Sequence, residues 1–226
     1  MDGRWRRIVE WSLLATVIAG VVVPASVLAK GSPLIVLTTP GADGPAAAAY
    51  REDFPDLALP AGRGHDGQQF YAIARDPLSP DAVAPHLDRP RYRLQRIAYP
   101  ILAALLNPGA GGGTGLVIAM LAVGVAAMFV GCLATGVLAT RWGAPPWSAA
   151  LFVLVPGNLV ALRISTGDTM ALALAVAAIA LLERDRPRPW LAVAAGSMAV
   201  LTKESLLVVL VAYALARRDR RSLLVA

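Results

Sequence analysis

The chain has 226 residues and a formal net charge of +6, with 57% hydrophobic and only 16% charged residues. Because soluble domains are nearer half apolar and a quarter charged, this composition excludes an ordinary soluble domain and indicates helices that span a membrane. The basic residues lie in short clusters at the ends of apolar runs, which is typical of membrane topology signals and argues against a nucleic-acid partner.

The N-terminal apolar run, Ile8 to Ala29, is longer than the core of a typical signal peptide and about long enough to cross a bilayer. It predicts an uncleaved first transmembrane helix that Pro24 kinks near its outer end. Residues 30–115, rich in Pro, Gly, Asp and Arg, then form a large extracytoplasmic loop before the second transmembrane helix. We interpret residues 1–226 as a single transmembrane domain that carries this loop.

Two stretches of the loop predict amphipathic helices. In "GQQFYAIARDP", Phe70 and Ile73 fall on one helical face and Pro77 ends the helix, with Asp66 just ahead of it at an N-cap position. In "RPRYRLQRIAYPILAALLN", a basic and aromatic start precedes an apolar tail too short to span, which predicts one helix lying at the membrane interface. The glycine-rich "GAGGGTG" follows as a flexible hinge.

Four further apolar stretches follow the loop, at 116–140, 146–164, 169–182 and 190–216. Cys132, inside the first, is interpreted as a buried structural thiol, and "VPGN" predicts a bend in the second. The last is interrupted by "TKES", and a single span through it would bury Lys203 and Glu204 at about 2.5–3.5 kcal/mol each. Splitting it into two short helices gives an all-α polytopic membrane protein with about six transmembrane helices.

The orientation follows from the basic clusters. With the N-terminal "RWRR" in the cytoplasm, alternating crossings place "TRWG", "ERDRPRP" and "ARRDRR" on the same side, as the positive-inside rule requires. The large loop, "STGDT" and "TKES" then face the outside. The high alanine, glycine and arginine content is typical of a GC-rich bacterial source, so we expect an integral protein of the bacterial inner membrane with a cytoplasmic N-terminus.

Asp66 is the leading candidate for a catalytic carboxylate, because it stands near the membrane surface beside glycines that let a ligand approach the backbone. A base of this kind can take a proton from an acceptor hydroxyl. Its alternative role is a helix cap or a loop salt bridge. The adjacent His65 is a candidate substrate-binding residue. Two neighbouring side chains do not make a coordination sphere, so a divalent metal is not implied and no cofactor is expected.

Charged residues between the later apolar runs are the next candidates. Asp168 in "RISTGDTM" is either a helix cap or a second acid facing the same external cavity, and Arg163 is able to pair with it or to hold an anion. Lys203, a compact cation, suits a lipid-linked phosphate, and Glu204 beside it is also a candidate. The alternative for these two residues is a local ion pair that caps two short helices.

The charges of the loop itself permit two interpretations. Arg93 and Arg96, with the tyrosines among them, suit the anionic headgroups of membrane lipids, or else they form a solvated interfacial face. The remaining acidic and histidine side chains nearby are interpreted as solvated loop residues: Asp76, Asp81, His86 and Asp88.

The order of these pieces resembles the polytopic GT-C glycosyltransferases, which use polyprenyl-phosphate-linked sugars. The resemblance rests on "GHDGQQFYAIARDP", "RPRYRLQRIAYPILA", "LVPGNLVALRISTGDTMALALAVAAIALL" and "AVLTKESLLVVLVAYAL", and covers most of the chain from Ile8 to Arg218. It implies that Asp66 is the base or acceptor-binding acid, that Lys203 holds the donor phosphate, and that Arg163 and Asp168 form the Arg–acid pair at the end of the third helix. The implied partners are a lipid-linked sugar donor and membrane lipids.

The chain departs from that family in length, since members usually have eight or more spans, and it shows no clear DxD motif, so the resemblance implies no metal. Two other functions stay open: a small transporter or flippase-like protein in which Asp168, Lys203 and Glu204 line a path, and an inactive scaffold subunit. Internal repeats and helices broken near the midplane, which are typical of transporters, are not evident in the sequence.

Overall fold

The described part of the molecule is entirely helical. A computed structural model describes residues 3–107, 109 and 111–223, with side chains as far as Arg217. It is 72% helix and contains no strand among these residues, which confirms the all-α prediction.

The first half of the chain contains one long helix followed by several short ones. These are α1 (Gly3–Leu28), α2 (Ala47–Asp53), α3 (Gly67–Arg75), α4 (Pro80–Val83), α5 (Pro90–Leu94) and α6 (Ala98–Leu106), with 3₁₀ turns at Leu34–Thr38 and Ala84–His86. The second half contains α7 (Thr114–Arg141), a 3₁₀ turn (Pro146–Ala150), α8 (Leu151–Leu154), α9 (Pro156–Arg163), α10 (Asp168–Leu182), α11 (Pro189–Thr202) and α12 (Leu206–Leu223).

Helix length decides how many membrane crossings the structure supports. α1 and α7, with 26 and 28 residues, are long and apolar enough to span, and Pro146–Arg163 is a third candidate that bends by 56° at the predicted "VPGN" site. The apolar parts of α10, α11 and α12 have only 10–17 residues each. At 1.5 Å per residue, the 15 residues of α10 cover about 22 Å of a hydrocarbon core about 30 Å thick. The split at "TKES" is present, while six crossings stay a prediction.

α7 is the central helix, and α1 packs antiparallel against it. Ile8 of α1 packs on Gly136 of α7, where an added Cβ atom would lie 2.7 Å from the Ile8 side chain. Val125 of α7 packs on Gly20 of α1, where an added Cβ atom would lie 3.3 Å from the Val125 side chain. The small residues of α7 therefore allow close helix packing. Cys132 is buried on this helix, as predicted.

The bundle has two chemically different ends. We call the end that carries residues 30–113 the loop end; there the Gly113 N–H at the start of α7 donates to the Tyr71 hydroxyl. At the opposite end, which we call the basic end, Arg141 pairs with Asp185 and Arg217 donates to the Leu182 carbonyl oxygen. The last arginines of "ARRDRR" follow Arg217, and their side chains lie outside the described residues.

The segment between α1 and α7 folds onto the loop end around aromatic side chains. Tyr50 and Tyr71 are fully buried and stack with ring centroids 4.5 Å apart. The predicted helix in "GQQFYAIARDP" is present as α3. In the glycine-rich segment, Gly112 packs so closely on the Asp53 carboxylate that no Cβ atom would fit.

The basic stretch after α4 differs from its prediction. One continuous interfacial helix was expected, but the structure has two helices, α5 and α6, separated at residues 95–97. Pro100 explains the break, because it has no N–H to bond to residue 96 and is tolerated only in the first turn of a helix. Arg96 therefore lies in the connection between the two helices.

Candidate functional site

The N-terminus of α3 is pressed against the connection between α9 and α10. A Cβ atom on Gly67 would overlap the Ile164 carbonyl oxygen and lie 2.8 Å from that of Thr38. Only glycine allows this approach of backbone to backbone. The contact places Asp66, the preceding residue, beside the turn that leads into Asp168.

Two strained residues border this contact. Thr39 and Ser165 are the described residues other than glycine with positive φ, at 49° and 48°. The Thr39 carbonyl oxygen accepts the His65 N–H at 3.1 Å, and Ser165 directly follows Ile164. Such conformations cost of order 1–3 kcal/mol each, persist only where the surroundings over-determine them, and cluster at binding and active sites. The strain therefore supports a functional interpretation of this region.

Arg93 forms an ion pair with the Asp66 carboxylate through both terminal guanidinium nitrogens, one of which donates a hydrogen bond to Oδ1. The two terminal guanidinium nitrogens lie 2.9 Å from Oδ1 and 2.8 Å from Oδ2, and Nε is 2.9 Å from Oδ1 of Asp88. Arg93 is only 8% exposed. Its hydrogen bonds to Asp88 lower the pKa of that carboxyl to about 2. The bonds to Asp88 and then to Asp66 raise the pKa of Arg93, although burial opposes this.

This geometry revises three sequence interpretations. Asp66 does occupy the N-cap position of α3, but its side chain forms no cap hydrogen bond and binds Arg93 instead. Asp88 was expected to be a solvated loop residue and is in fact the second partner of Arg93. Arg93 is likewise a buried link between two loop segments, and so the alternative of a solvated interfacial face is wrong for this residue.

Arg96 connects the loop to the break between α11 and α12. Its Nε and one terminal nitrogen lie 2.9 and 2.7 Å from the two carboxylate oxygens of Glu204, and the guanidinium lies 4.3 Å from the ring centroid of Tyr92. The hydrogen bonds from Arg96 lower the pKa of the Glu204 carboxyl to about 2. A bidentate pair supported by an aromatic ring fixes the guanidinium plane as well as its charge.

Lys203 pairs with Asp168 across two helices. The ammonium donates to Oδ1 of Asp168, and the Thr166 hydroxyl donates to Oδ2 at 2.8 Å. The alternative of a local Lys203–Glu204 ion pair is therefore wrong, since each residue has a partner elsewhere in the chain. Asp168 is the first residue of α10, where a carboxylate also interacts favourably with the helix dipole.

A cavity of about 400 Å³ opens beside the Asp168–Lys203 pair. It lies between α9, the start of α10 and the α11–α12 break, and its lining includes Val160, Ile164, Thr166 and Leu206. The cavity combines apolar walls with one cation and one anion, an arrangement suited to a ligand with a charged group and an apolar part.

The remaining predicted residues lie at the margin of this region. Arg163, at the end of α9, donates to the Val36 carbonyl oxygen at 3.3 Å, while Asp168 binds Thr166 and Lys203, so the predicted Arg163–Asp168 pair does not form in this structure. The His65 side chain is exposed in the turn before α3. Among the described residues, no group of three or more His, Cys, Asp or Glu side chains is placed to hold a metal ion.

Comparison with known proteins found no matching family model, no matching curated protein and no matching solved structure. The function must therefore be inferred from the residues of this chain.

Proposed function

We propose that the protein is a membrane glycosyltransferase of the GT-C type, which transfers a sugar from a polyprenyl-phosphate donor to an acceptor hydroxyl at the outer face of the bacterial inner membrane. The observation that carries this proposal is the set of three ion pairs at the loop end: Arg93–Asp66, Arg96–Glu204 and Lys203–Asp168. The first pair lies within the loop, the second joins the loop to the α11–α12 break, and the third joins that break to the start of α10. In this proposal a water-soluble acceptor meets a lipid-linked donor at this end of the bundle.

In this proposal Asp66 is the catalytic base. Its Oδ1 accepts a hydrogen bond from Arg93 and its Oδ2 lies 2.8 Å from the other terminal nitrogen, which fixes the group in place and leaves lone pairs for an acceptor hydroxyl. The side chain remains 47% exposed, so an acceptor can reach it. As the acceptor oxygen attacks the anomeric carbon, its proton passes to Asp66 and the bond from carbon to the phosphate oxygen breaks, inverting the anomeric centre.

The leaving phosphate needs a cation, and Lys203 at the cavity of about 400 Å³ is the residue proposed for it. The Asp168 carboxylate holds the Lys203 ammonium at the cavity until an anion takes its place. Arg163 ends the helix that forms one wall of the same cavity and is the second proposed phosphate ligand. His65, Arg96 and Glu204 are proposed to contact the substrates from the loop and from the helix break.

The proposed orientation places the basic end in the cytoplasm. Arg141 and Arg217 lie at this end, and the N-terminus of α1 packs there through Ile8. Cationic residues concentrate on the cytoplasmic side of membrane proteins, so the loop end would face outward. The charge distribution also favours surface chemistry over transport, because a path through the membrane would need ionisable groups at successive depths.

The decisive experiment compares Asp66→Asn with Asp76→Asn, which changes an exposed carboxylate at the other end of α3. Transfer is measured in detergent or membranes with polyprenyl-phosphate-linked sugars. Loss of a general base typically costs 10²–10⁴-fold, so we expect Asp66→Asn to lose at least about 100-fold and Asp76→Asn to keep its activity. Arg93 retains Asp88 as a partner in Asp66→Asn, so both variants should fold, which thermal unfolding checks. Equal activity in both variants would remove Asp66 from the chemistry.

A further inference from the structure

A second, larger cavity lies away from the three ion pairs. It has a volume of about 1010 Å³ and forms a groove whose floor is α10 and whose walls are α11 and α12. Apart from Ser197, Tyr213 and Arg217, its lining is apolar. Small residues on α11, among them Ala192 and Gly196, leave the space open.

The length of the groove matches one leaflet of a bilayer. Its lining on α11 extends from Pro189 to Leu201, which at 1.5 Å per residue is about 18 Å. Half of a hydrocarbon core about 30 Å thick is about 15 Å. The groove is therefore long enough for an acyl chain, and it ends just before the charged break at Lys203.

The mouth of the groove is cationic. Arg217 lines it together with Pro187 and Leu182, and its Nε lies 3.9 Å from the Glu183 carboxylate. The loop that joins α10 to α11 adds three exposed arginines at the same end: Arg184, Arg186 and Arg188. The site therefore changes from apolar to positive along its length, which complements a lipid with apolar acyl chains and an anionic headgroup.

We propose that this groove binds an anionic glycerophospholipid, with acyl chain between α11 and α12 and phosphate at the arginines of the basic end. The site is separate from the proposed donor site, whose cation Lys203 lies at the opposite end of the same helices. The proposal requires only that the helices lie in a bilayer, and it holds whether or not the protein is a glycosyltransferase.

Native mass spectrometry tests the proposal on the purified full chain. The protein is incubated in detergent with equal amounts of dioleoyl phosphatidylglycerol and dioleoyl phosphatidylcholine, which differ in headgroup charge but not in acyl chain. We expect preferential retention of phosphatidylglycerol. A single interfacial arginine contributes about fivefold to the binding of anionic lipid, so Arg217→Gln should lower its retention by about that factor. Arg141→Gln, at the same end but outside the lining of the groove, is the matched control and should leave retention unchanged.

A second pair of variants tests the acyl-chain groove. Ser197→Phe places a ring in the groove from an exposed position on α11 and should lower retention of both lipids. Ala194→Phe adds the same ring at an exposed position of α11 outside the lining and should have no effect. If Ser197→Phe does not fold, Leu207→Trp fills the groove from α12, where Leu207 is 53% exposed.

Three results would overturn the proposal. Equal retention of the two lipids by the unmodified protein would exclude headgroup selection. If Arg141→Gln and Arg217→Gln lowered phosphatidylglycerol retention equally, the lipid would be attracted to the basic end as a whole and not to the groove. A dimer that Ser197→Phe dissociates, with lipid retention unchanged, would assign the groove to a second copy of the chain. Transfer activity at the loop end should be unchanged in Ser197→Phe, which separates this result from failure of the proposed enzyme function.

Discussion

Lys203 forms its ion pair with Asp168, thirty-five positions earlier in the chain, while its neighbour Glu204 binds Arg96 of the loop. Two adjacent residues thus connect the α11–α12 break to two different parts of the molecule. Contacts with residues distant in the chain therefore stabilise the break between α11 and α12. A change at one partner should therefore affect the others.

Removing the Arg93 side chain should destabilise the loop end. Arg93→Gln leaves Asp66 and Asp88 close together without their shared cation. Hydrogen bonds to charged groups contribute roughly 1.5–3 kcal/mol, so we expect a loss of about 2 kcal/mol in the free energy of unfolding. Arg91→Gln, two positions away and exposed, is the control and should change stability by less than about 0.5 kcal/mol. Chemical unfolding in detergent gives both values; equal stability of the two variants would contradict the assignment.

A methyl group at Gly67 should push α3 away from the α9–α10 connection. Gly67→Ala overlaps the Ile164 carbonyl oxygen, and overpacking of this kind costs about 1–3 kcal/mol. Under the proposed function it should also lower transfer, because Asp66 moves with Gly67. Gly157→Ala has no atom within 4 Å of its new Cβ and should be neutral or slightly stabilising. Thermal unfolding measures the difference, and a Gly67→Ala variant as stable as the original protein would show that the contact is not close.

The Asp88 carboxyl should make stability depend on pH in the acid range. Its pKa is about 2 in the folded protein because Arg93 donates to it, against about 3.9 for an ordinary aspartate. A folded pKa below the unfolded value means that the contribution is fully present above about pH 4 and is lost as the pH falls toward 2. Asp88→Asn should therefore flatten the stability curve between pH 4 and 2, while Asp81→Asn, an exposed loop change, should not. The measurement is a series of thermal unfolding curves from pH 2 to 6, and the same slope in both variants would contradict the prediction.

The two ends of the bundle should lie on opposite sides of the membrane. Leu78 is 87% exposed in the loop, and the Asp185 side chain is 95% exposed at the basic end. The natural Cys132 is fully buried, so a cysteine introduced at either position supplies the reactive thiol. In spheroplasts, a membrane-impermeant maleimide should label Leu78→Cys and spare Asp185→Cys until the membrane is permeabilised. Equal labelling of both in intact spheroplasts would contradict the proposed topology.

Local patterns were enough to predict much of the helical structure. The α3 helix, the bend at "VPGN" and the break at "TKES" follow from helical periodicity, from proline and glycine, and from the cost of burying charge. The number of crossings could not be fixed in the same way, because α10 and α11 are apolar along their whole length yet shorter than the hydrocarbon core is thick. Apolar character alone does not distinguish a short span from a helix buried in the protein.

Partners of the charged residues were much harder to predict. The candidates Asp66, Asp168, Lys203 and Glu204 do lie at one end of the bundle, but the sequence favoured neighbours as partners over residues distant in the chain. Arg96 and Glu204 are 108 positions apart, and no local signal identifies such a pair. Asp88 was missed although it lies five positions before Arg93, because the turn that brings them together depends on Pro90 at the start of α5.

The separation between Arg96 and Glu204 also has a consequence for biosynthesis. A ribosome that adds about 5–20 residues per second needs roughly 5–20 seconds to proceed from residue 96 to residue 204. During that interval the nascent loop has its arginine but not the carboxylate that binds it. The contact between the loop and the α11–α12 break therefore forms only after residue 204 has been synthesised, and a nascent chain stalled before that residue lacks the carboxylate that holds Arg96.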